Sequence, residues 1–559
     1  MKLVVGIIIV VASIICLYFS MEKSIKKQIE QLNKNYGEKP DNKKINMEFI
    51  KKLFIEKSNF EKDNDFIDDL TWNDLDMDQV YKRIDYSKTT LGESYLYYKL
   101  RKVNCDKKEI NEIEKIVDIV FDNEKLRNKI QRNLLSIGKI NNENFIQFIY
   151  NPKFIKMANF YKYPLCLLGF MLSLILIIFN SNIGILLSII FLVNNIILAQ
   201  AAKTNNQDNY DTMTYLLKNL LACKNLNKIK DKEFNIVSEE IDKIISSCKE
   251  INKIEKYGKF ISKSNNNGIM SDLEFFSEYF KMFFFVDIFI YQRITNILEK
   301  NREQLFLAYD LIGRLDYAIS IAYYRKSINN YAIPEFIEGE EIEMLDLYHP
   351  LIDDPISNSI NIEKNIILTG SNASGKSTFI KAVAINIILA QSINTALCSK
   401  YKCGFSKVIT SMAIKDDIIN GDSYFIAELK SLKRLVDSLN SKVRVVAFID
   451  EILKGTNTIE RISASAALLN YVKGTKARVL VATHDIELTQ MLTTGYDNYH
   501  FRETVTDEGV EFNYKLHKGP SKTRNAINLL RTLGFDYKLV DSANDICEEF
   551  ISNRKWRML

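Results

Sequence analysis

Along most of the chain apolar and polar residues are mixed, but three stretches are almost purely apolar. Residues 3–19 are apolar apart from Ser13 and the Tyr18 hydroxyl, and residues 163–179 and 183–199 carry no charge and are separated only by Asn180, Ser181 and Asn182. A helix buried in a soluble core usually keeps one polar stripe. These two runs keep almost none. The pattern therefore predicts two membrane-spanning helices at the short end of the usual length, with a buried soluble hairpin as the alternative. Lys153, Lys156 and Lys162 precede the pair and Lys203 follows it, which places both outer ends in the cytoplasm. The first run is followed by Lys23, Lys26 and Lys27 rather than by a small-residue cleavage site. It reads as an uncleaved anchor rather than a removed signal peptide, with the bulk of the chain cytoplasmic.

Residues 43–60, 107–135 and 271–326 place Ile, Leu and Phe among Lys, Glu and Asp at helical spacing, and the last stretch reads as one or two long lever-like helices. Residues 205–265 read as polar helix, broken by Asn265, Asn266, Asn267 and Gly268. Near residue 335 the texture changes. Short β-branched runs (IILTG, VVAFID, VLVATH) now alternate with helical ones, which is the pattern of a mainly parallel sheet wrapped by helices. The predicted organisation is an N-terminal transmembrane anchor at 1–21, a first part of a helical core at 45–160, a transmembrane hairpin at 161–201, further core and lever helices at 202–334, and an α/β domain at 335–559.

Composition narrows the partners only slightly. The chain of 559 residues is 47% hydrophobic and 26% charged, so it can bury large cores. Its net charge of +5 is too small to argue by itself for nucleic acid or an anionic surface. The eight cysteines form no CxxC pair and read as scattered buried thiols rather than a zinc site. Seven prolines in the whole chain suit long uninterrupted helices.

The candidate chemistry lies in the α/β domain. The strand 365–369 runs into Gly370, Ser371, Asn372, Ala373, Ser374, Gly375, Lys376, Ser377 and Thr378, which fits G-x-x-x-x-G-K-[ST]. In such a P-loop the glycines let successive N–H groups point at phosphate oxygens, the following helix adds its positive end, the lysine reaches the β and γ phosphates, and the serine hydroxyl can ligate Mg²⁺. This makes ATP the expected nucleotide and Ser377 a candidate metal ligand. A second strand, 444–449, ends in Asp450 and Glu451. It reads as a Walker B element, with Asp450 on Mg²⁺ and Glu451 orienting and deprotonating the attacking water. A third, 478–482, ends in Thr483, His484 and Asp485. His484 is either a sensor of the γ-phosphate or an ordinary surface histidine.

Several further segments resemble the MutS family of ATPases, in that family's order. IDEILKGTNTIERISAS (449–465) looks like the signature that follows Walker B, ATHDIELTQ (482–490) like the A-T-H-x-x-E-L element, and GDSYFIAELKSL (421–432) like the segment holding the signature serine. LYHPLID (347–353) resembles the element bordering the adenine, IGRLDYAISIA (312–322) the end of the lever helices, and TTLGESYLYYKLR (89–101) the start of the helical core. The tail GPSKTRNAINLLRTLGF (519–535) resembles the region by which the ATPase domains pair.

The resemblance implies an ABC-like P-loop fold joined to all-α core and lever helices. It places Ser423 on the γ-phosphate of a neighbouring subunit, and hence implies a homodimer through the ATPase domains; it also places Tyr348, His349 and Pro350 near the base. Glu451, Lys376, His484 and Ser423 become the expected catalytic set. Taken together with the apolar runs, which predict a membrane anchor and surrounding membrane lipid, it implies for the whole chain a dimeric ATPase held at the cell membrane. Such an ATPase couples ATP binding and hydrolysis to double-stranded DNA, mismatched or branched DNA being the candidate targets. The alternative is a membrane mechanochemical or signalling ATPase without DNA contact. Two departures bear on that choice. The family loop usually reads G-P-N-M-G-G-K-S, whereas here Pro, Met and the first paired Gly are Ser371, Ala373 and Ser374. Residues 22–80 are also too few for a mismatch-reading domain.

Overall fold

The computed structural model describes residues 23–558 except 25, 41–44, 62–64, 104–105, 143, 146–147, 149–156, 158, 230, 232, 249–279, 372–373, 413–423, 440, 442, 507–508, 522–526, 528–529, 531–533 and 554. The expected anchor at 1–21 and the expected break at 265–268 fall outside the described residues. The chain divides into two compact units, one made of residues 1–62, 85–97 and 113–326, the other of 63–84, 98–112 and 327–559.

The second unit is mixed α/β. Its strands are β1 (Glu335–Phe336), β2 (Ile342–Leu347), β3 (Asn358–Ile362), β4 (Asn365–Thr369), β5 (Lys400–Cys403), β6 (Lys407–Ser411), β7 (Val445–Asp450), β8 (Arg478–Ala482), β9 (Tyr496–His500), β10 (Glu503–Thr506), β11 (Gly509–Phe512) and β12 (His517–Lys518). The main sheet has the order β12-β9-β4-β8-β7-β6, parallel throughout except for β12. β4 is buried at every residue, as a central parallel strand covered on both faces must be. Its registers align Leu368, Ala482 and Asp450 across three neighbouring strands, so those strands end level with one another. A second sheet has the order β1-β5-β2-β3, and β10 and β11 form a hairpin.

This unit is larger than the sequence pattern indicated. The expected boundary at 335 moves to 327, and residues 63–84 and 98–112, expected in the helical core, belong here. The reason is an exposed sheet edge. Among the described residues β6 has a strand on one side only, and an uncovered edge offers unpaired backbone groups. The Asp69–Asp74 helix covers it: Asp74 accepts from the Thr410 hydroxyl at 2.6 Å and the Met412 N–H at 3.0 Å, and Thr71 Oγ1 accepts from the Thr410 N–H at 3.2 Å. Arg434 pairs with Asp68, and Lys407 with Asp65 at 2.5 Å. The 98–112 strip is fastened by Arg101, whose carbonyl accepts from the Ile67 N–H at 2.8 Å and whose guanidinium pairs with Asp69 at 2.8 Å.

Every described regular element of the first unit is a helix. The helical period across 107–135 is divided between Lys107–Asp122 and Glu124–Ile137, because Asn123 accepts from the Leu126 N–H at 3.0 Å and starts a new helix. The lever region contains Val286–Lys300 and Arg302–Lys326, interrupted at Asn301, whose side chain donates back to the Ile297 carbonyl at 2.8 Å.

The apolar pair forms an antiparallel hairpin, Lys162–Phe179 and Ser181–Asn205, whose turn is capped by Asn180 accepting from the Ile183 N–H. Small residues let the two backbones meet. A Cβ on Gly184 would lie 2.4 Å from the Ile177 nitrogen, and Ser173 and Ser188 share a hydrogen bond of 2.9 Å. The large apolar side chains, among them Leu165, Leu172, Ile175, Leu186 and Ile190, point outward. By length and composition both helices are sufficient to cross a membrane. So is Lys376–Ile393, but that helix is 83% buried inside the second unit.

A single carboxylate organises the middle of the helical unit. Asp316 is fully buried on the Arg302–Lys326 helix and accepts from the Lys88 and Thr89 N–H groups, at 2.8 Å for Thr89, and from the Thr89 hydroxyl at 2.7 Å. It therefore caps the Thr90–Arg101 helix from outside the local sequence. Gly92 leaves it room, since a Cβ there would lie 2.4 Å from its Oδ2. Burial raises the carboxyl to about 6 against the pull of its hydrogen bonds. Asp316→Ala leaves two buried N–H groups unpaired and is expected to destabilise this unit by about 2–4 kcal/mol. Chemical unfolding of the purified chain measures it, and a loss under about 1 kcal/mol contradicts the capping role.

Candidate active site

β4 opens into a loop that only glycine can begin and end. Gly370 has φ 145° and a Cβ there would lie 2.7 Å from the Phe501 carbonyl oxygen, while Gly375 has φ 103° and leads directly into the Lys376–Ile393 helix. Between them Ser374 Oγ donates to the Ser371 carbonyl at 2.8 Å. Lys376 folds back over the loop, its Nζ donating to the carbonyls of Gly370 at 2.8 Å and Ser371 at 2.7 Å. Burial pulls this ammonium below its usual range, against the Asp450, Glu451 and Glu503 carboxylates. Ser377 and Thr378 are exposed in the first helical turn. Asn372 and Ala373 lie outside the described residues.

The level strand ends bring the second and third motifs to the same place. Asp450 is the last residue of β7, opposite Ala482, and Glu451 follows in the left-handed region at φ 58°, its N–H donating to the Ala482 carbonyl at 2.9 Å. Beyond β8, His484 Nε2 lies 3.1 Å from Glu451 Oε1, and the Lys454 ammonium holds the other carboxylate oxygen. Burial pushes the Glu451 carboxyl up, but Lys454 and His484 outweigh it and keep the carboxyl below its usual value. Burial and the nearby Lys376 charge hold the His484 ring below its usual value, against the pull of Glu451. Asp450 Oδ1 is buried and has no hydrogen-bond partner among the described residues. A buried carboxylate oxygen left in this condition beside a serine-bearing helix start is the kind of ligand a small divalent cation takes. No cluster of three or more His, Cys, Asp or Glu occurs among the described residues.

A cavity of about 550 Å³ opens beside these groups, lined by Lys376, Ser377 and Glu451 on one side and Tyr348 and His349 on another. Pro350 follows these two in the chain but does not line it. Burial, with the Lys381 charge, lowers His349 to about 4. Ser371, Gly375 and Thr378 of the loop also line the cavity, whereas Gly370 and Ser374 do not. Ser423 and most of the 519–535 tail lie outside the described residues.

Several residues here had no signal in the sequence pattern. Tyr514 lines the cavity and lies against the loop, a Cβ on Gly375 being 3.2 Å from its ring. It is held by Asn358, which donates to the Tyr514 carbonyl at 3.0 Å and accepts from the Leu516 N–H at 2.8 Å. Glu428 is buried on the Tyr424–Ser438 helix and accepts from the Lys454 N–H at 3.1 Å and the Gly455 N–H at 3.4 Å, fixing the turn that carries Lys454 to Glu451. Arg461 grips Asp485 with two bonds of 2.9 and 2.6 Å, tying the Thr458–Lys473 helix to the residue after His484. The i, i+3 spacing of Glu451 and Lys454 was visible in the sequence; the others depend on distant partners.

Comparison with known proteins bears on the domain that holds these residues. The family described as MutS domain V matches residues 366–551, a span holding the loop, both strand-end motifs and the residues just named except Asn358 and the Tyr348–His349 wall. The DNA mismatch repair protein MutS of Fusobacterium nucleatum is 28% identical over 274 residues, covering 46% of this chain and 30% of that protein. The MutS of Halothermothrix orenii is 27% identical over 281 residues, with the same two shares. The human MutS protein homolog 4 is 30% identical over 256 residues, covering 42% of this chain and 27% of that protein. The chain thus spans about 30% of the length of the curated relatives it matches. Residues 366–551 match the MutS domain V family, and the chain is similar to MutS proteins over less than half of its length.

Proposed function

We propose that the chain is a membrane-anchored, dimeric ATP hydrolase that couples ATP binding and hydrolysis to double-stranded DNA. One observation carries the hydrolase reading: Lys376, Asp450, Glu451 and His484 come from three strand ends and meet beside a single cavity inside a MutS domain V. In this reading the loop amides and the start of the Lys376–Ile393 helix take the phosphates, and Lys376 exchanges its two loop carbonyls for phosphate oxygens. Tyr514, Tyr348 and His349 form the wall against which the base packs. Asp450 and Ser377 are the residues that would hold Mg²⁺, which when bound neutralises phosphate charge. Glu451, kept ionised by Lys454, orients and deprotonates the attacking water, and His484 fixes the orientation of its carboxylate. Ser423 completes the site of the neighbouring subunit, and the 519–535 region joins the pair.

For the remainder of the chain, the outward apolar side chains of the Lys162–Phe179 and Ser181–Asn205 helices support lipid as their surroundings. Lys162 and Lys203 at the outer ends support a cytoplasmic placement of both units at the cell membrane. The name DNA mismatch repair protein, carried by the bacterial relatives, supports DNA as the partner, and mismatched or branched forms are the candidates of this reading. A second reading, a membrane mechanochemical ATPase without DNA contact, is favoured by one feature. The hairpin is fastened to the segment that starts the lever helices: Tyr163 meets Phe285 with ring centroids 5.1 Å apart, Phe170 meets Phe284 at 6.3 Å, and Asn195 donates to the Phe283 carbonyl at 3.2 Å.

Glu451→Gln is expected to lower kcat about 100- to 1,000-fold while the Kd for ATP changes little, because the loop and Lys376 are untouched. Lys376→Ala is expected to lose ATP retention. Steady-state hydrolysis with equilibrium binding on the detergent-solubilised chain separates the two, and wild-type turnover in Glu451→Gln removes its assigned role. The two readings part on a different measurement. If DNA is the partner, duplex DNA binds with strong salt dependence and changes the hydrolysis rate. If it is not, DNA has no effect, and ATP instead alters protease access to Asn180, Ser181 and Asn182 in vesicles.

A further inference from the structure

Glu503 opens β10 just past the β9 strand that borders β4. It is 8% exposed, and its Oε2 accepts from the Ser371 hydroxyl at 2.8 Å. Position 371 is one where this chain departs from the loop it resembles: a proline there has no donor to offer, whereas Ser371 has one and a buried carboxylate receives it. Three carboxylates act on the Lys376 ammonium, those of Asp450, Glu451 and Glu503. The first two have a place in the proposed chemistry. The third has none, yet a buried negative charge behind a phosphate-binding loop cannot be neutral in effect: it favours the ammonium when the site is empty and opposes a polyphosphate when it is filled.

We propose that Glu503 is an affinity-setting residue of the nucleotide site, whose fixed charge, tethered by Ser371, weakens retention of adenine nucleotides in proportion to their charge and so speeds departure of ADP. The proposal rests on the reading of the 370–378 loop as a nucleotide grip.

Glu503→Gln separates charge from hydrogen bonding, since its carbonyl oxygen still accepts from Ser371 while the charge is gone. On the full-length detergent-solubilised chain, titrations with adenosine, AMP, ADP and ATP in the absence of Mg²⁺, where ligand charge rises along the series, give the charge dependence directly. Glu503→Gln is expected to bind ADP and ATP about tenfold tighter than wild type, adenosine no tighter, and to release ADP correspondingly more slowly. Glu503→Ala, which also lacks the acceptor, is expected to tighten binding in the same order. Equal or weaker ADP binding in both variants, or a gain as large for adenosine as for ATP, overturns the proposal and leaves Glu503 a structural tie. Wild-type protein that retains neither ADP nor ATP overturns the reading of the loop itself. Normal wild-type binding with unaltered variants overturns only the inference.

Discussion

The second unit is arranged around a lysine that has been taken largely out of water. An ammonium in that position costs several kcal/mol unless oxygen atoms surround it. Lys376 has two loop carbonyls within 2.8 Å and three carboxylates acting on it from further away. The carbonyls are available only because Gly370 and Gly375 adopt angles that other residues avoid, turning the chain back over the start of the helix. Two of the carboxylates, Asp450 and Glu451, are available only because β7 ends level with β8 and β4, and the third, Glu503, opens β10 just past β9, the other neighbour of β4. A one-residue slip of β7 would carry Asp450 away from Ala482 and turn its side chain to the opposite face. Sheet register and lysine solvation are therefore one constraint seen from two sides.

The same constraint accounts for the tightness of the second ring of contacts. Glu451 is useful only if its carboxylate points one way, and it has two fixed partners, His484 and Lys454. Each partner is itself held. Glu428 receives the backbone of Lys454 and Gly455, and Arg461 takes the carboxylate of the residue after His484. These outer groups come from helices that also pack on the sheet: Leu432, Leu435, Ala466 and Leu469 join a buried cluster with Val445, Ala447 and Val479. Positioning of the site thus draws on the same apolar burial that stabilises the unit.

What could be read in the sequence was whatever the local chain determines. The loop motif is a statement about consecutive backbone angles, and the acidic and histidine motifs mark the ends of short apolar strands, so all three were legible without any tertiary information. The helical hairpin was legible because its apolar runs are contiguous. Tyr514 was not, since its place against Gly375 depends on Asn358, far away in the chain. Nor was the allocation of residues 63–84: their helical pattern is the same whether the helix joins a bundle or covers a strand edge, and only Thr410, Met412 and Arg434 decide it. The split of 107–135 into two helices was, by contrast, visible in principle, because Asn123 followed by Glu124 is a helix-start signal inside an otherwise continuous period.

The apolar hairpin follows the opposite rule from the rest of the first unit. Around Asp316, large apolar side chains face inward and the polar exception is buried with all its partners. In the hairpin the buried residues are mostly small or polar, among them Gly184, Ser173, Ser188 and Asn195, with Tyr163 and Phe170 packed on Phe285 and Phe284, while many Leu and Ile side chains face out. In water that arrangement forfeits the main source of helix–helix attraction and exposes a continuous apolar surface. In hydrocarbon the outward side chains cost nothing. Close backbone approach at glycine and hydrogen bonds between serines then become the available attraction. The inverted pattern is what the proposed lipid surroundings would require, and the aromatic contacts of Phe284 and Phe285 with Phe170 and Tyr163 join this helix pair to the segment that starts the lever helices.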